Sequence, residues 1–139
     1  MPNEMKKVIA FGASNSPKSI NKQLATYAAN RLAEVSVEVL DLNDFELPVY
    51  HPMIEGESGI PENAAAFAGK IKEADAVVVS LAEYNGLHTS AFKNLWDWMS
   101  RLGTPKIWHD KPEPTARIKR DEGIRIPLPP VRSKHRRKL

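Results

Sequence analysis

Short apolar runs separated by helical repeats dominate the first hundred residues of the chain. Residues 7–11 and 76–81 are apolar throughout or nearly so, which is typical of buried strands in a parallel sheet. Residues 36–42 partly alternate apolar and polar positions, as a strand at a sheet edge does. The pattern therefore predicts three strands, of which the second lies at an edge.

A helix is predicted after each of these strands. Apolar residues recur at helical spacing from Leu24 to Leu32, from Ala64 to Ile71 and from about Ser90 to Arg101. Ser19 or Asn21 is the expected N-cap of the first helix. The alternation of strands and helices predicts an α/β sheet with right-handed crossovers.

Two polar loops follow the first and third strands, over residues 12–21 and 82–89. These strands are neighbours in the doubly wound order 2-1-3-4-5, and ligands of such sheets bind beyond the carboxyl ends of the strands. We therefore expect the two loops to form one site. Residues 43–60 form a long connection, and loops of this length are usually functional or mobile.

The first loop has the chemistry of a phosphate site. Ser14, Ser16 and Ser19 supply hydroxyls, Asn21 supplies an amide, and backbone N–H groups face outward at the helix N-terminus. The loop has neither the Gly-Lys-Ser/Thr ending of a Walker A loop nor the Gly-x-Gly-x-x-Gly pattern of a dinucleotide site. An N-capped helix after an ordinary turn would explain the same residues.

The second loop places an aromatic ring, an amide and a glycine where the third strand ends. Such a loop could bind a planar heterocycle that lies against Tyr84 and is hydrogen-bonded to the backbone of Asn85 and Gly86. A type I or type II turn is the structural alternative. A solvated carboxylate is the alternative interpretation of Glu83. We interpret His88 as a residue at the start of the third helix rather than as a ligand.

Both loops resemble those of the NAD(P)H-dependent FMN reductase family. The resemblance lies in Phe11–Ser14 with Ser19–Asn21, and in Ala82–Gly86 with Phe92–Arg101. It covers residues 5 to about 110 and implies a flavodoxin-like three-layer fold, bound FMN and a homo-oligomer, commonly a dimer or tetramer. It also implies hydride transfer from NAD(P)H to FMN, and onward transfer to a flavin, quinone, azo compound or metal oxyanion, without a catalytic side chain or a metal.

The resemblance also assigns cofactor-binding residues. Those that match the family's two FMN loops are Ser14, Ser16, Ser19, Ile20, Asn21, Ala82, Glu83, Tyr84, Asn85 and Gly86. Ala82 stands in place of the usual proline, and Asn15 stands near a position where many relatives have arginine. Lys93, Asn94 and Asp97 match a signature of the third helix, and we interpret them as packing and helix-terminus residues.

Charge divides the chain into two parts. Residues 1–110 carry ten Lys/Arg and fourteen Asp/Glu, a net charge of −4, whereas residues 111–139 carry ten Lys/Arg and three acidic residues, a net charge of +7. The second part also holds five of the eleven prolines. We therefore predict an FMN-binding domain over residues 1–110 and a basic, irregular or disordered tail over residues 111–139.

The tail has two explanations. An altered reading frame just after Pro112, which we favour, accounts for the abrupt change in composition where the resemblance ends. A basic arm that contacts nucleic acid is the alternative. No run of four apolar residues follows residue 112, so we expect a sheet truncated after the third helix, an open edge at residues 77–79, and weakened FMN binding.

The remaining composition narrows the function classes. The chain has no cysteine, which excludes a thiolate nucleophile and a thiolate metal site. It has no apolar stretch of the roughly 18 residues that a membrane span needs, and no signal-peptide pattern at its start, so we expect a cytoplasmic protein. A non-catalytic flavodoxin-like module remains the alternative to a reductase.

Overall fold

The computed structural model describes residues 4–103, 115–119 and 123–125, and the fold within them is a sheet flanked by helices. The strands are β1 (Lys6–Ala13), β2 (Val35–Leu40), β3 (Ala76–Tyr84), β4 (Leu87–His88), β5 (Thr115–Lys119) and β6 (Gly123–Arg125). The helices are α1 (Ile20–Asn30), α2 (Pro52–Ser58), α3 (Glu62–Glu73) and α4 (Ser90–Met99), with a 3-10 helix at Leu42–Phe45.

The described strands form a sheet of order β2-β1-β3-β5-β6, with β4 paired to β3. β1 runs parallel to both β2 and β3, with Phe11 opposite Leu40 on one side and Val79 on the other. The predicted edge position of β2 and the adjacency of the first and third strands are both confirmed. The carboxyl ends of β1 and β3 therefore bring the two polar loops to the same edge of the sheet.

Side chains of the two central strands alternate between two helical layers. The cluster against α1 contains Val8, Ala10, Ala25, Ala29 and Val78. The cluster against α3 and α4 contains Ile9, Phe11, Phe67, Ile71, Val77, Val79, Leu95 and Met99, among others. Each fully buried valine, isoleucine or phenylalanine contributes roughly 1.5–3 kcal/mol. These layers confirm the predicted three-layer flavodoxin-like fold.

β5 corrects in part the expectation of an open edge at residues 77–79, because within the described residues it covers Val79 of the three. It pairs parallel with β3, with Thr115 opposite Val79 and Lys119 opposite Glu83. β6 then pairs antiparallel with β5. We predicted no strand here because no run of four apolar residues follows residue 112. A strand near a sheet edge pairs through its main chain and does not need a continuous apolar sequence. The predicted irregular tail is therefore wrong for residues 115–119 and 123–125. Its other residues lie outside the described ranges.

The connection after β2 is more regular than the sequence suggested. It contains the 3-10 helix at Leu42–Phe45 and the seven-residue helix α2. The Nδ1 atom of His51 accepts a hydrogen bond from the Met53 N–H at 3.1 Å, and Pro52 occupies the first helical position. This capping begins α2 immediately after His51, whose backbone is extended.

Glu38 ties the edge strand to its neighbours. Its carboxylate contacts the Nζ atom of Lys70 from α3 at 2.6 Å and that of Lys7 from β1 at 3.0 Å. The hydrogen bond from Lys70 lowers the pKa of Glu38, and that from Lys7 lowers it further. Because the folded pKa is depressed, the stabilisation is fully present above the ordinary value of 4.5 and is lost as pH falls through the folded value.

We therefore expect Glu38→Gln to lower the free energy of unfolding at pH 7 and to have a smaller effect at pH 3.5. The loss at pH 7 should be modest, since these side chains are about one third exposed. Urea denaturation at the two pH values measures the difference. Glu57→Gln, at an exposed position of α2, serves as the control. A Glu38→Gln effect that grows toward pH 3.5 would contradict the assignment.

Candidate functional site

The turn from β1 into α1 is built by a close backbone approach at Gly12. A Cβ atom at this position would lie 2.3 Å from the backbone N of Lys22 and 2.8 Å from the carbonyl carbon of Asn21. Such distances are far below van der Waals contact, so only glycine fits here. The missing side chain lets the first turn of α1 pack directly on the carboxyl end of β1.

Hydroxyl groups of the first loop cap backbone N–H groups. Ser19 is the N-cap of α1, and its Oγ accepts a hydrogen bond from the Lys22 N–H at 3.1 Å. Ser14 Oγ accepts a hydrogen bond from the Ser16 N–H at 3.1 Å. A hydroxyl that accepts in this way still has its own hydrogen to donate. Both serines are buried, and Ser19 rather than Asn21 proves to be the N-cap.

Asn21 makes a buried contact with the neighbouring strand. The hydroxyl of Ser80 on β3 donates to Asn21 Oδ1 at 2.7 Å. With its oxygen bonded to Ser80, the amide still has its two N–H donors. Ser80 was not among the residues chosen from the sequence. The available signal was a single polar residue inside the most apolar run of the chain.

The second loop is a tight hairpin. Asn85 and Gly86 have φ values of 53° and 77°, and they connect β3 to the short strand β4. Positive φ at both central residues is the signature of a type I′ hairpin turn, so the turn differs from the type I or type II turn of the structural alternative. Tyr84 pairs with Leu87 across the hairpin. β3 thereby extends three residues beyond the predicted strand.

The start of α4 ties the two loops together. The Thr89 hydroxyl donates to the Ala13 carbonyl at 2.8 Å and accepts a hydrogen bond from the Phe92 N–H at 3.2 Å. Thr89 is therefore both the N-cap of α4 and the bridge to the loop after β1. His88 belongs to β4, immediately before this cap, and its ring lies edge-on to Phe92.

The predicted site residues differ in their exposure. Ser14, Ser19, Asn21 and Ala82 are buried, Ser16 and Glu83 are partly buried, and Ile20, Tyr84, Asn85 and Gly86 are exposed. Ile20 is 62% exposed, so its contribution to a ligand would come from its backbone at the start of α1. Among the described residues, the Oε2 atom of Glu83 is buried without a hydrogen-bond partner.

A cleft of about 520 Å³ lies beside the first loop. It is lined by Asn15, Leu42, Asn43, Phe45, Glu46, Leu47, Pro48, Val49, Ser90, Ala91, Asn94 and Leu95. None of the ten predicted cofactor residues lines it. No sequence pattern predicted this cleft, because its walls come from Asn15 and from two segments far apart in the chain, 42–49 and 90–95.

α4 holds one wall of the cleft in place. Asn94 Oδ1 accepts a hydrogen bond from the Tyr50 N–H at 2.8 Å, and Asn94 Nδ2 donates to the Pro48 carbonyl at 2.9 Å. Trp98 Nε1 donates to the same carbonyl at 2.8 Å. These contacts agree with the interpretation of Asn94 as a packing residue. Lys93 and Asp97 form an ion pair along the same helix.

Arg101 and Tyr50 anchor α2 through Glu55. The Nε atom of Arg101 donates to the two carboxylate oxygens of Glu55 at 2.9 and 3.1 Å, and the Tyr50 hydroxyl donates at 2.9 Å. The Arg101 bond lowers the pKa of Glu55, and the Tyr50 bond lowers it further. The same contact raises the pKa of Tyr50. The connection between β2 and α3 is thus fixed to α4 at several points.

The described part of the chain has neither a cluster of metal ligands nor a membrane-spanning helix. Within residues 4–103 and the two short strands that follow, no group of three His, Cys, Asp or Glu residues is placed to hold a metal ion. None of the helices in that part of the chain is long and apolar enough to cross a bilayer.

Known proteins share both the sequence and the architecture. A 2-hydroxy-1,4-benzoquinone reductase from Burkholderia sp. is 35% identical over 95 residues, which are 68% of this chain and 50% of the relative. A quinone reductase of Escherichia coli K12 is 37% identical over 73 residues, 52% of this chain and 39% of the relative. The chain thus spans about half the length of these curated relatives, or less.

Solved structures agree with this relationship. The flavoenzyme NAD(P)H:acceptor oxidoreductase FerB from Paracoccus denitrificans is 26% identical, with a TM-score of 0.60 over 82% of this chain and 60% of that protein. An azoreductase from Bacillus anthracis, at 22% identity and a TM-score of 0.59, shares the fold over 83% of this chain and 69% of its own. The family model described as NADPH-dependent FMN reductase matches residues 6–114. The chain therefore belongs to the NADPH-dependent FMN reductase family.

Proposed function

We propose that this chain binds FMN and forms the flavin site of an NAD(P)H-dependent reductase whose electron acceptor is a quinone. The observation that carries the proposal is the donor set of the first loop. Ser14 and Ser19 are buried with hydroxyls that can donate, and Asn21, whose amide oxygen accepts a hydrogen bond from Ser80, has amide N–H groups left to donate. These groups lie at the N-terminus of an eleven-residue helix, which favours a bound anion.

The donor set fits a phosphate that is held without a full counter-charge. Lys18 is the single basic residue of residues 12–21, and it is exposed. Lys22, one position further along, contacts Asp41 at 2.7 Å. We therefore propose that neutral donors of Ser14, Ser16, Ser19, Asn21 and the Ile20 backbone hold the FMN phosphate. FMN binding through such groups should weaken only slightly as ionic strength rises.

The hairpin after β3 fits the flavin ring and the ribityl chain. Tyr84 is 47% exposed at the loop, and Gly86 has open space around its Cα, so a flat ligand can approach the backbone closely. Glu83 Oε2 is a buried acceptor that a ring N–H of the ligand would satisfy. Ala82, Glu83, Tyr84, Asn85 and Gly86 are the residues proposed to line this part of the site.

When bound, FMN supplies the redox chemistry, accepting a hydride from NAD(P)H and passing electrons to the acceptor. The chain's own residues bind and orient the cofactor, so no side chain is assigned a catalytic role. The choice of a quinone as acceptor rests on relatives named quinone reductase and 2-hydroxy-1,4-benzoquinone reductase. A homo-oligomer, which the family resemblance implies, is also part of the proposal.

Fluorescence titration with FMN and riboflavin tests the binding step. We expect the wild-type chain to quench FMN fluorescence and to bind FMN at least tenfold more tightly than riboflavin, because only FMN has the phosphate. Ser19→Ala should reduce FMN affinity about tenfold and should lower the free energy of unfolding by about 1 kcal/mol through loss of the N-cap. Ser36→Ala, at an exposed position of β2, should change neither quantity.

Turnover is tested separately. NAD(P)H oxidation that depends on both FMN and an added benzoquinone would support the reductase. FMN binding without turnover would favour the non-catalytic flavodoxin-like module. Equal affinity for FMN and riboflavin would overturn the phosphate site.

A further inference from the structure

A fully buried hydroxyl lies in the middle of β3 and requires a physical reason. Ser80 has no exposed surface, and it follows three consecutive valines of the central strand. Burying a hydroxyl among apolar residues costs free energy unless it is hydrogen-bonded. Within the described residues, the one side-chain hydrogen bond of Ser80 goes to Asn21 Oδ1. The free-energy cost of burying the Ser80 hydroxyl is therefore offset by a hydrogen bond to one residue of the first loop, Asn21.

The direction of this bond determines what Asn21 can offer a ligand. An asparagine amide has nearly the same shape when its oxygen and nitrogen are exchanged, so packing alone does not orient it. With the oxygen turned toward Ser80, the serine hydrogen has an acceptor and the amide N–H groups are left for the loop. With the nitrogen turned toward Ser80, the buried serine hydrogen would lose its acceptor, and an oxygen would face the ligand.

Backbone geometry brings the two residues together. Ser80 lies opposite Gly12 in the β1–β3 pairing. Gly12 is also the position where the backbone of Asn21 and Lys22 makes its closest approach to β1. Because a side chain at position 12 would separate α1 from the sheet, the Asn21–Ser80 bond depends on this glycine.

We propose that Ser80 is a positioning residue for recognition of the flavin phosphate. It orients the Asn21 amide so that N–H donors, and no oxygen, face the anion. The inference rests on the proposed FMN site and adds a residue on a different strand, remote from the loop in sequence. It assigns Ser80 no contact with the ligand.

The affinity ratio between FMN and riboflavin isolates this role. Ser80→Ala should lower the ratio about tenfold, since the amide then rotates freely and presents an oxygen to the phosphate part of the time. Ser80→Thr keeps the hydroxyl and should restore most of the ratio. Asn21→Asp replaces the N–H donors with a charged oxygen and should abolish the preference for FMN.

The affinity ratios of wild type and Ser80→Ala test the phosphate site and the role of Ser80 separately. If wild type does not prefer FMN to riboflavin, the proposed function fails at its phosphate site, and the inference fails with it. If wild type prefers FMN but Ser80→Ala keeps the same ratio, the inference alone is overturned. A merely structural role for Ser80 would weaken both ligands equally and leave the ratio unchanged, which would also overturn it.

Two controls complete the experiment. Ser100→Ala removes a hydroxyl that donates to the Asp97 carbonyl at the opposite end of α4, and it should leave the ratio at the wild-type value. Urea denaturation of every variant gives the folded fraction, so that the affinities refer to folded protein.

Discussion

Gly12→Ala is expected to abolish FMN binding and to lower the free energy of unfolding by about 1–3 kcal/mol or more. The added Cβ would lie 2.3 Å from the Lys22 N and 2.8 Å from both the Asn21 carbonyl carbon and the Lys22 Cα. These are backbone atoms, so no side-chain rotation relieves the overlap. The first turn of α1 must move away from β1, which separates Asn21 from Ser80 and opens the phosphate loop.

Urea denaturation and FMN titration measure the two effects of Gly12→Ala. Gly69→Ala is the matched control, because a Cβ at Gly69 in α3 meets nothing within 4 Å. Alanine is the better helix former, so this control should raise the free energy of unfolding by roughly 0.5–1 kcal/mol. The free energy of unfolding should therefore fall in Gly12→Ala, because of steric overlap, and rise in Gly69→Ala, because of backbone entropy. A Gly12→Ala protein with wild-type stability would contradict the close approach.

The central sheet could be predicted because local pattern and tertiary environment agree there. β1 and β3 are apolar on both faces and are covered by helices on both faces. Polar residues at the ends of these strands then marked the two loops in advance. Ser19 could also be predicted as a possible N-cap, because its hydrogen-bond partner Lys22 lies only three residues away in sequence.

The remaining features depend on contacts that are distant in sequence. Ser80 is hydrogen-bonded to Asn21, 59 positions earlier in the chain. Asn94 is hydrogen-bonded to Pro48 and Tyr50, more than 40 positions earlier. β5 was missed because a strand near the sheet edge can be polar. The seven-residue α2 was missed because a helix of two turns with a glycine inside it has little periodicity to detect.

Trp98→Phe should loosen the wall of the cleft and lower the free energy of unfolding by about 1–3 kcal/mol. Trp98 is fully buried, its Nε1 donates to the Pro48 carbonyl at 2.8 Å, and its ring meets that of Tyr50 edge-on at 5.0 Å. Phenylalanine preserves an aromatic ring but has no donor and a smaller volume. The Pro48 carbonyl then keeps Asn94 as its remaining side-chain donor among the described residues.

Hydrogen exchange at the Tyr50 amide reports on the wall directly, because that N–H is bonded to Asn94 Oδ1. We expect faster exchange in Trp98→Phe and still faster exchange in Trp98→Phe/Asn94→Ala, which also removes the acceptor of the Tyr50 N–H. Trp96→Phe makes the same chemical change two positions earlier, at a partly buried side chain, and should leave Tyr50 exchange near its wild-type rate. If Trp98→Phe destabilises the protein while Tyr50 exchange stays unchanged, Trp98 supports the core alone, and the wall is held by Asn94 and by the Arg101–Glu55–Tyr50 contacts.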